Sequence, residues 1–319
     1  MRDTFIKALT DNIENFPKTI LLTGDLGFGV FDDFAKEYPN NFLNVGVAEQ
    51  NMAGIAAGLA LEGWKVFTYS IANFPTFRCL EQIRNDICYH NLDVTIVSIG
   101  GGFSYGALGM SHHATEDIAA LSAFPMKVIA PSSKGEVSAC VDEMMTVKGP
   151  CYLRLDKSFA DVTVDVDQEF QIGKAIELCK GEDITIIGYG GIMAEALRAA
   201  DVLASKNISV RVVSMHTIRP LDKNCIRKCI AETRSIVTIE EHTVSGGLGN
   251  AVAAYCLEEG LMPKLFYRIG LRKNEFSSVV GSQKYLRKHY GMSTSDIVNK
   301  IESLLGTKQK VQEKSLSHI

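Results

Sequence analysis

Glu49 stands where a carboxyl group could do chemistry as well as carry charge. It follows the small, glycine-containing stretch 45–48 and opens an apolar run whose members recur three and four residues apart. That spacing is typical of a helix with one face in a core. A glutamate in a first helical turn most often complements the positive end of the helix dipole. The alternative is an acid catalyst, because burial raises the pKa of a carboxylic acid until it can donate a hydrogen bond near neutral pH.

Three further stretches carry side chains that could take part in chemistry. Asp25 and Leu26 lie in the turn after the first predicted strand, where an aspartate usually caps backbone amides. His112 belongs to a His-His pair in a predicted loop, which marks a solvated turn as often as a site. Phe74 and Phe77 are three residues apart before a helical run, and core packing is the alternative for each.

The elements that must position these residues follow from the alternation of short β-rich runs and helical patterns. This alternation predicts an α/β protein with two open, mostly parallel, doubly wound sheets. A first domain is expected over 1–157, with a helix near 2–15 and strands near 19–23, 42–45, 64–69, 92–99, 127–131 and 151–154. A second is expected over 173–305, with strands near 184–188, 210–213, 236–239 and 265–267.

Two stretches lack such patterns. Residues 158–172 turn acidic and lose helical periodicity, which predicts a linker, and the polar, lysine-rich residues 306–319 predict a disordered tail. The turn that holds Asp25 and Leu26 ends a predicted strand, and open α/β sheets bind their ligands at that end.

The phrase Gly-Val-Ala-Glu-Gln-Asn-Met over 46–52 resembles the signature of the transketolase superfamily, whose enzymes use thiamine diphosphate. In that family the glutamate bonds N1′ of the aminopyrimidine ring and favours the imino tautomer that takes the proton from C2 of the thiazolium. The resemblance implies that Glu49 activates the cofactor, which then serves as the electron sink. It also implies a pyrimidine-binding first domain and a transketolase C-terminal second domain, since 240–242 and 245–249 resemble the latter.

The resemblance implies roles for the other candidates in cofactor binding. Asp25 and Leu26 match an Asp-Leu pair in which the aspartate lies near the thiazolium and the apolar residue wedges the cofactor into its bent form. Phe74 and Phe77 fit the aromatic segment that stacks on the pyrimidine, although an ungapped alignment to some relatives would put Ala72 in the stacking place.

Three residues are implied to contact the substrate. His112 takes the place of the histidine in the family segment Gly-Pro-Thr-His-Gln. Arg2 and Lys157 fall where relatives carry arginines for a substrate phosphate, although each is also a plausible solvated surface charge. Both can bind phosphate, lysine as a point charge and arginine through two hydrogen bonds.

One family motif is missing. Complete transketolases hold Mg²⁺ and the diphosphate with a Gly-Asp-Gly motif of an N-terminal domain, and this sequence contains no Gly-Asp-Gly. The resemblance therefore implies a split enzyme. The Mg²⁺ ligands are expected on a partner N-terminal section, this chain is expected to hold no metal, and the assembly is expected to be a heterotetramer, a dimer of heterodimers.

The predicted reaction is transfer of a two-carbon ketol unit from a ketose or ketose phosphate to an aldose, carried on C2 of the cofactor. The family's Gly-Glu-Asp-Gly segment is here Gly-Ala-Leu-Gly over 106–109, and Gly100 replaces a histidine. These changes remove hydrogen bonds that select polyol stereochemistry, so a modified sugar or simpler ketone donor is expected. The alternatives are a beta subunit of a 2-oxo acid dehydrogenase, a deoxyxylulose phosphate synthase-like enzyme, and a non-catalytic regulatory or binding homologue.

Composition excludes several other functions. The net charge of −4 gives no indication of a nucleic-acid or anionic membrane partner. The eight cysteines form no Cys-x-x-Cys pair and lie mostly in apolar runs, which predicts reduced thiols in a cytoplasmic protein. No segment has the pattern of a signal peptide or a membrane span.

Overall fold

The computed structural model describes residues 1–160, 170–272 and 276–316, and their strands form two sheets. In chain order the strands are β1 Thr19–Thr23, β2 Phe42–Asn44, β3 Lys65–Ile71, β4 Val94–Ile99, β5 Lys127–Ile129, β6 Cys151–Leu155, β7 Ile176–Cys179, β8 Ile184–Gly188, β9 Val210–Ser214, β10 Thr217–Arg219, β11 Ser235–Thr243 and β12 Leu265–Leu271.

The helices fill the connections between these strands. They are α1 Arg2–Ile13, α2 Asp32–Glu37, α3 Glu49–Leu61, α4 Leu80–Gln82, α5 Asp117–Leu121, α6 Lys134–Met144, α7 Met193–Ala204, α8 Lys223–Thr233, α9 Leu248–Glu258, α10 Gln283–His289 and α11 Thr294–Leu316. The short α4 continues as a π-helix over Ile83–Cys88.

The predicted fold class is confirmed. The seven-stranded sheet has the order β10-β5-β6-β4-β3-β1-β2 and the five-stranded sheet the order β12-β11-β8-β9-β7. In the described chain, all strand pairs are parallel except the edge pairs of β10 with β5 and β7 with β9. Strands such as β1 and β4 are buried along their whole length, as parallel strands covered on both faces must be.

Helices cover both faces of the first sheet. Phe5 and Leu9 of α1 pack with Val141 of α6 against one face. Met52 and Ala56 of α3 pack against the other. The core around α3 continues into the second domain, so the two sheets share one hydrophobic interior.

The strand β10 was not predicted, and it joins the two domains. It belongs to the second half of the sequence but pairs antiparallel with β5 of the first sheet, with Thr217 opposite Ile129. A run of only three residues carries too little periodicity to indicate a strand, and its partner is set by the fold.

The structure describes little of the predicted linker and most of the predicted tail. Most of the predicted linker, 161–169, lies outside the described residues. The tail over 306–319 stays a prediction, and α11 extends past Gly306 to Leu316. Lysine, glutamine and glutamate are good helix formers, and adding residues to an existing helix avoids the cost of nucleation. Residues 317–319 lie outside the described part. Among the residues that the structure describes, no helix is long and apolar enough to cross a membrane.

The start of α6 allows a first test of the fold. The Ser133 hydroxyl caps this helix by accepting a hydrogen bond from the backbone N–H of Glu136, at 3.1 Å. Ser133→Ala leaves this N–H unsatisfied, so we expect the free energy of unfolding in urea to fall by about 1 kcal/mol. Ser138→Ala, in the middle of the same helix, is the control and should leave the midpoint almost unchanged. Equal losses in both variants would contradict the capping role.

Candidate functional site

Glu49 is the first residue of α3, and its side chain is only 4% exposed. It lines a pocket of about 420 Å³ with Val47, Ala48, Gln50, Asn51 and Arg78. Its Oε2 lies 3.2 Å from Nη1 of Arg78, the one described residue that hydrogen-bonds the carboxylate. Because Arg78 is half exposed, it reaches Glu49 from the surface and can leave it without disrupting the core. Glu49 therefore presents a buried carboxyl group to a pocket.

A row of contacts leads away from Glu49. The guanidinium carbon of Arg78 lies 3.9 Å from the centroid of the Phe74 ring. That ring meets the imidazole of His112 edge to face, with centroids 5.3 Å apart. The structure thus brings Glu49, Phe74 and His112 to one surface. Phe77 lies three residues after Phe74, in a short 3-10 turn, and 39% of its surface is exposed. It makes no ring contact with any residue that the structure describes.

Asp25 and Leu26 follow β1 at the same edge of the sheet. Asp25 adopts a left-handed backbone conformation, with φ of 59°. The Asn44 amide, at the end of β2, donates to Oδ1 of Asp25 at 3.0 Å and accepts from its backbone N–H at 3.1 Å. The same amide oxygen accepts from the N–H of Gly46. Asn44 therefore ties the turn of Asp25 and Leu26 to the loop before Glu49.

The two adjacent histidines have different environments. His113 is buried, and its Nε2 lies 3.1 Å from the carbonyl oxygen of Gly106. His112 is half-buried, and its Nδ1 lies 3.0 Å from the Ser111 hydroxyl. Desolvation, with smaller effects of His113 and Arg78, lowers the pKa of His112 below its ordinary 6.5. His112 is therefore neutral at neutral pH and can offer a substrate oxygen one N–H.

A second pocket, of about 360 Å³, holds the two predicted phosphate ligands. Arg2 and Lys157 both line it, as do Lys134 and Tyr105. Nζ of Lys157 lies 3.9 Å from the centroid of the Tyr105 ring. Arg2 also contacts Asp3 at 2.9 Å, so its charge is partly balanced. The pocket is also lined by Asp3 and Asp156, so its three cationic side chains outnumber its carboxylates by one, which favours an anionic ligand.

Tyr105 connects this basic pocket to the row that starts at Glu49. Its ring centroid lies 6.3 Å from that of His112, which also contacts Phe74. A row of side-chain contacts, from Arg78 through Phe74, His112 and Tyr105 to Lys157, therefore links the two pockets.

The glycine run 100–102 has no room for side chains. A Cβ at Gly100 would lie 2.2 Å from a Tyr105 ring carbon, and one at Gly101 would lie 2.2 Å from Asp156 Oδ1. At Gly102 it would lie 2.6 Å from Oε1 of Glu241, in the second domain. The run therefore lies between the sheet edge and the second domain, and none of its three glycines could carry a side chain there.

Sequence reasoning missed four residues of this site. Arg78 had a local signal, since it follows Phe74 by four residues, the separation at which side chains meet on a helical turn. Lys134 follows the cap residue Ser133, a place that does not by itself indicate a ligand. Asn44 and Tyr105 had no signal, because their contacts depend on how distant segments pack.

Metal ligands were predicted to be on another chain. Among the residues that the structure describes, no group of three or more His, Cys, Asp or Glu side chains could hold a metal ion.

Comparison with known proteins finds two family descriptions along the chain. Residues 1–161 match the transketolase pyrimidine binding domain, and 173–297 match the transketolase C-terminal domain. The chain is 39% identical over 305 residues to a provisionally named transketolase C-terminal section of Methanocaldococcus jannaschii, covering 94% of this chain and 95% of that protein.

The chain is also similar to a second transketolase subunit and to a solved transketolase structure. The chain is 37% identical to one subunit of the apulose-4-phosphate transketolase of Phocaeicola vulgatus, over 93% of this chain and 94% of that one. A solved structure described as a split-gene transketolase, an inactive β4 tetramer, is 35% identical with a TM-score of 0.86, over 96% of this chain and 98% of that chain.

Proposed function

We propose that this chain, which belongs to the transketolase family, is the C-terminal subunit of a split transketolase. The reaction moves a two-carbon ketol unit from a ketose to an aldose. The C2–C3 bond of the ketose breaks, the C3 hydroxyl loses its proton as C3 becomes an aldehyde, and the ketol unit then bonds to the aldehyde carbon of the acceptor. One observation carries the proposal: the buried carboxyl group of Glu49 lines a pocket from which a row of side-chain contacts leads to a second pocket with three cationic side chains.

The residues around Glu49 fit the pyrimidine end of thiamine diphosphate. Gly24 lies beside the carboxyl group, where an added Cβ would be in ordinary van der Waals contact with Oε1, at 3.7 Å. Phe74 offers a ring face that Arg78 now covers. The bound cofactor would supply a nucleophilic carbon and an electron sink. Glu49, Phe74, Asp25 and Leu26 are the residues proposed to hold it, with Phe77 at the rim.

The chain's own groups then have distinct tasks. Glu49 holds or releases a proton at the pyrimidine nitrogen, for which Arg78 must give up its bond to Oε2. A neutral His112 donates a hydrogen bond to a substrate oxygen, and Arg2 and Lys157 bind a terminal anion. Glu49, Arg2 and Lys157 line the two pockets, and His112 lies in the row of contacts between them.

A partner subunit completes the proposed site. We assign Mg²⁺ and the diphosphate to an N-terminal section, and the assembly to a cytoplasmic heterotetramer. The names of the relatives, a C-terminal section and one subunit of a transketolase, support a partner. So do large apolar side chains that are exposed next to the site residues, namely Phe28 at 75%, Val47 at 73%, Leu108 at 55% and Met110 at 51%. Exposed apolar surface beside a pocket is typical of an interface.

The cations of the second pocket predict an anionic donor, as in the apulose-4-phosphate relative. Lys157→Ala removes one charge-assisted bond, so we expect KM for a ketose phosphate to rise about tenfold or more with kcat little changed. Steady-state kinetics of the assembled enzyme measure this. Lys228→Ala, an exposed lysine on α8, is the control and should leave KM unchanged. If KM of the Lys157 variant equals that of wild type, the phosphate role is wrong.

Product analysis tests the function itself. The chain is mixed with an N-terminal section, thiamine diphosphate and Mg²⁺, and given either xylulose 5-phosphate or pyruvate with an aldose acceptor. The proposal expects a ketose two carbons longer than the acceptor from the ketose phosphate, and no carbon dioxide from pyruvate. Release of carbon dioxide would favour a deoxyxylulose phosphate synthase or 2-oxo acid dehydrogenase reaction, and no product at all would favour a regulatory protein.

A further inference from the structure

The loop between β4 and α5 carries His112, and the second domain holds this loop in place. The loop covers residues 100–115, here called the site loop, and it begins with the glycine run. It belongs to the first domain by sequence. Its backbone is nevertheless hydrogen-bonded at its start, its middle and its end to residues of β11 and of the segment just before α10.

Glu241 of β11 holds the start of the site loop. Its Oε1 accepts a hydrogen bond from the backbone N–H of Phe103 at 2.5 Å. A Cβ at Gly102 would lie 2.6 Å from the same oxygen, so the backbone comes this close only because the residue is glycine. The carboxylate is almost fully buried and is fixed from α10, since Gln283 donates to Oε1 at 2.9 Å and Arg287 donates to Oε2. The loop therefore starts from a charge-assisted hydrogen bond to a side chain that is itself held.

The second domain also holds the middle and the end of the site loop. The N–H of Gly281 donates to the carbonyl oxygen of Gly106 at 3.2 Å, and the N–H of Thr243 donates to the carbonyl oxygen of Thr115 at 2.8 Å. These bonds join backbone groups, so they do not depend on the Glu241 side chain. A substitution of Glu241 should therefore shift the start of the loop without releasing the whole of it.

The start of the site loop is tied to the segment that carries His112. Gly102 and Ala114 exchange two backbone hydrogen bonds, at 2.9 and 3.0 Å. The Phe103 ring meets the imidazole of His113 edge to face, with centroids 5.1 Å apart. Because His112 directly precedes His113, a displacement of Phe103 also displaces the imidazole that is proposed to bind the substrate.

We infer that Glu241 is a positioning residue, which fixes the site loop so that His112 reaches a substrate oxygen. The inference rests on the proposed function and gives the second domain a part in it. Glutamine at this position keeps the shape but has one acceptor oxygen where the carboxylate has two. A buried donor of Phe103, Gln283 or Arg287 then lacks its partner, and the loop moves to relieve this. A misplacement of about 1 Å can cost about 100-fold in rate.

A double-mutant cycle in the assembled enzyme tests this inference. Glu241→Gln, His112→Ala and the double variant are compared with wild type, with xylulose 5-phosphate as donor and glycolaldehyde as acceptor. We expect Glu241→Gln to lower kcat/KM about 30-fold or more when His112 is present. The loss should be less than about threefold when His112 is alanine, because a displaced loop costs little once the imidazole is gone.

Two controls accompany the cycle. Calorimetry of thiamine diphosphate binding shows whether each variant still folds and assembles. Glu182→Gln, which changes an exposed glutamate of the second domain, should leave kcat/KM unchanged. If Glu241→Gln does not assemble, Gln283→Met removes one donor to Glu241 without a change of charge. It is expected to lower kcat/KM about fivefold, again only when His112 is present.

The same fold loss with and without His112 would show that Glu241 does not act through this histidine, and it would overturn the inference while leaving the proposed function intact. Full activity of Glu241→Gln or of His112→Ala would overturn it as well. Failure of wild type to use the donor would overturn the proposed function, and this inference with it.

Discussion

We expect Glu49→Gln to lower kcat of the assembled enzyme by about 1,000-fold or more and to leave its thermal stability unchanged. The amide has nearly the shape of the carboxyl group and can still hydrogen-bond, but it cannot exchange a proton, and positioned proton transfer accounts for about 10²–10⁴-fold in rate. Stability should not fall, because the amide oxygen can still accept from Arg78 at the pocket surface. Steady-state kinetics and a thermal melt of the same preparation measure both quantities.

Glu62→Gln is the matched control, since Glu62 lies at the C-terminal end of the same helix and is exposed. It should behave as wild type in both measurements. An active Glu49→Gln enzyme would rule out the proton exchange and return Glu49 to the simpler role of complementing the dipole of α3.

We expect Asp117→Asn to lower the free energy of unfolding by about 3 kcal/mol, because it removes one member of a buried ion pair. Oδ2 of Asp117 accepts from Nε of Arg154 at 3.0 Å and from the Tyr152 hydroxyl at 2.6 Å, with both charged side chains almost fully buried. Burial alone would lower the pKa of Arg154, but Asp117 and Asp156 raise it overall, so the guanidinium stays charged.

The cost follows from what the substitution leaves behind. Arg154 would keep only one carboxylate, Asp156 at 3.4 Å, and its bonds to the carbonyl oxygens of Ala114 and Glu241. Because Glu241 belongs to the second domain, this arginine also holds the two domains together. Urea denaturation measures the loss, and Asp201→Asn on the exposed face of α7 is the control. A loss below about 1 kcal/mol would mean that Asp117 does not compensate the buried charge.

The sequence predicted those parts of the fold that depend on local pattern. The strands β1, β3, β4, β8 and β9 lie where runs of β-branched residues indicated them, and Glu49 begins a helix because the apolar periodicity starts there. Arg2 and Lys157 line one pocket although they lie at opposite ends of the first domain in sequence. Local sequence pattern could not predict that, and a phosphate-binding role for each was expected only from the family resemblance.

The remainder depends on tertiary packing. The pairing of β10 with β5, the bond of Asn44 to Asp25 and the position of Tyr105 each join segments whose meeting no local pattern records. The buried pair of Asp117 and Arg154 was missed for the same reason, because each residue alone resembles an ordinary surface charge.

The most direct test of the central claim is the binding of thiamine diphosphate with Mg²⁺, measured by calorimetry for this chain alone, for an N-terminal section alone, and for the two together. The Glu49 pocket is proposed as one half of a shared site, so tight one-to-one binding is expected only from the mixture, and it should weaken when Phe74 is replaced by alanine. Equally tight binding by this chain alone would contradict the shared site, and no binding in the mixture would contradict the assignment of the cofactor to this pocket.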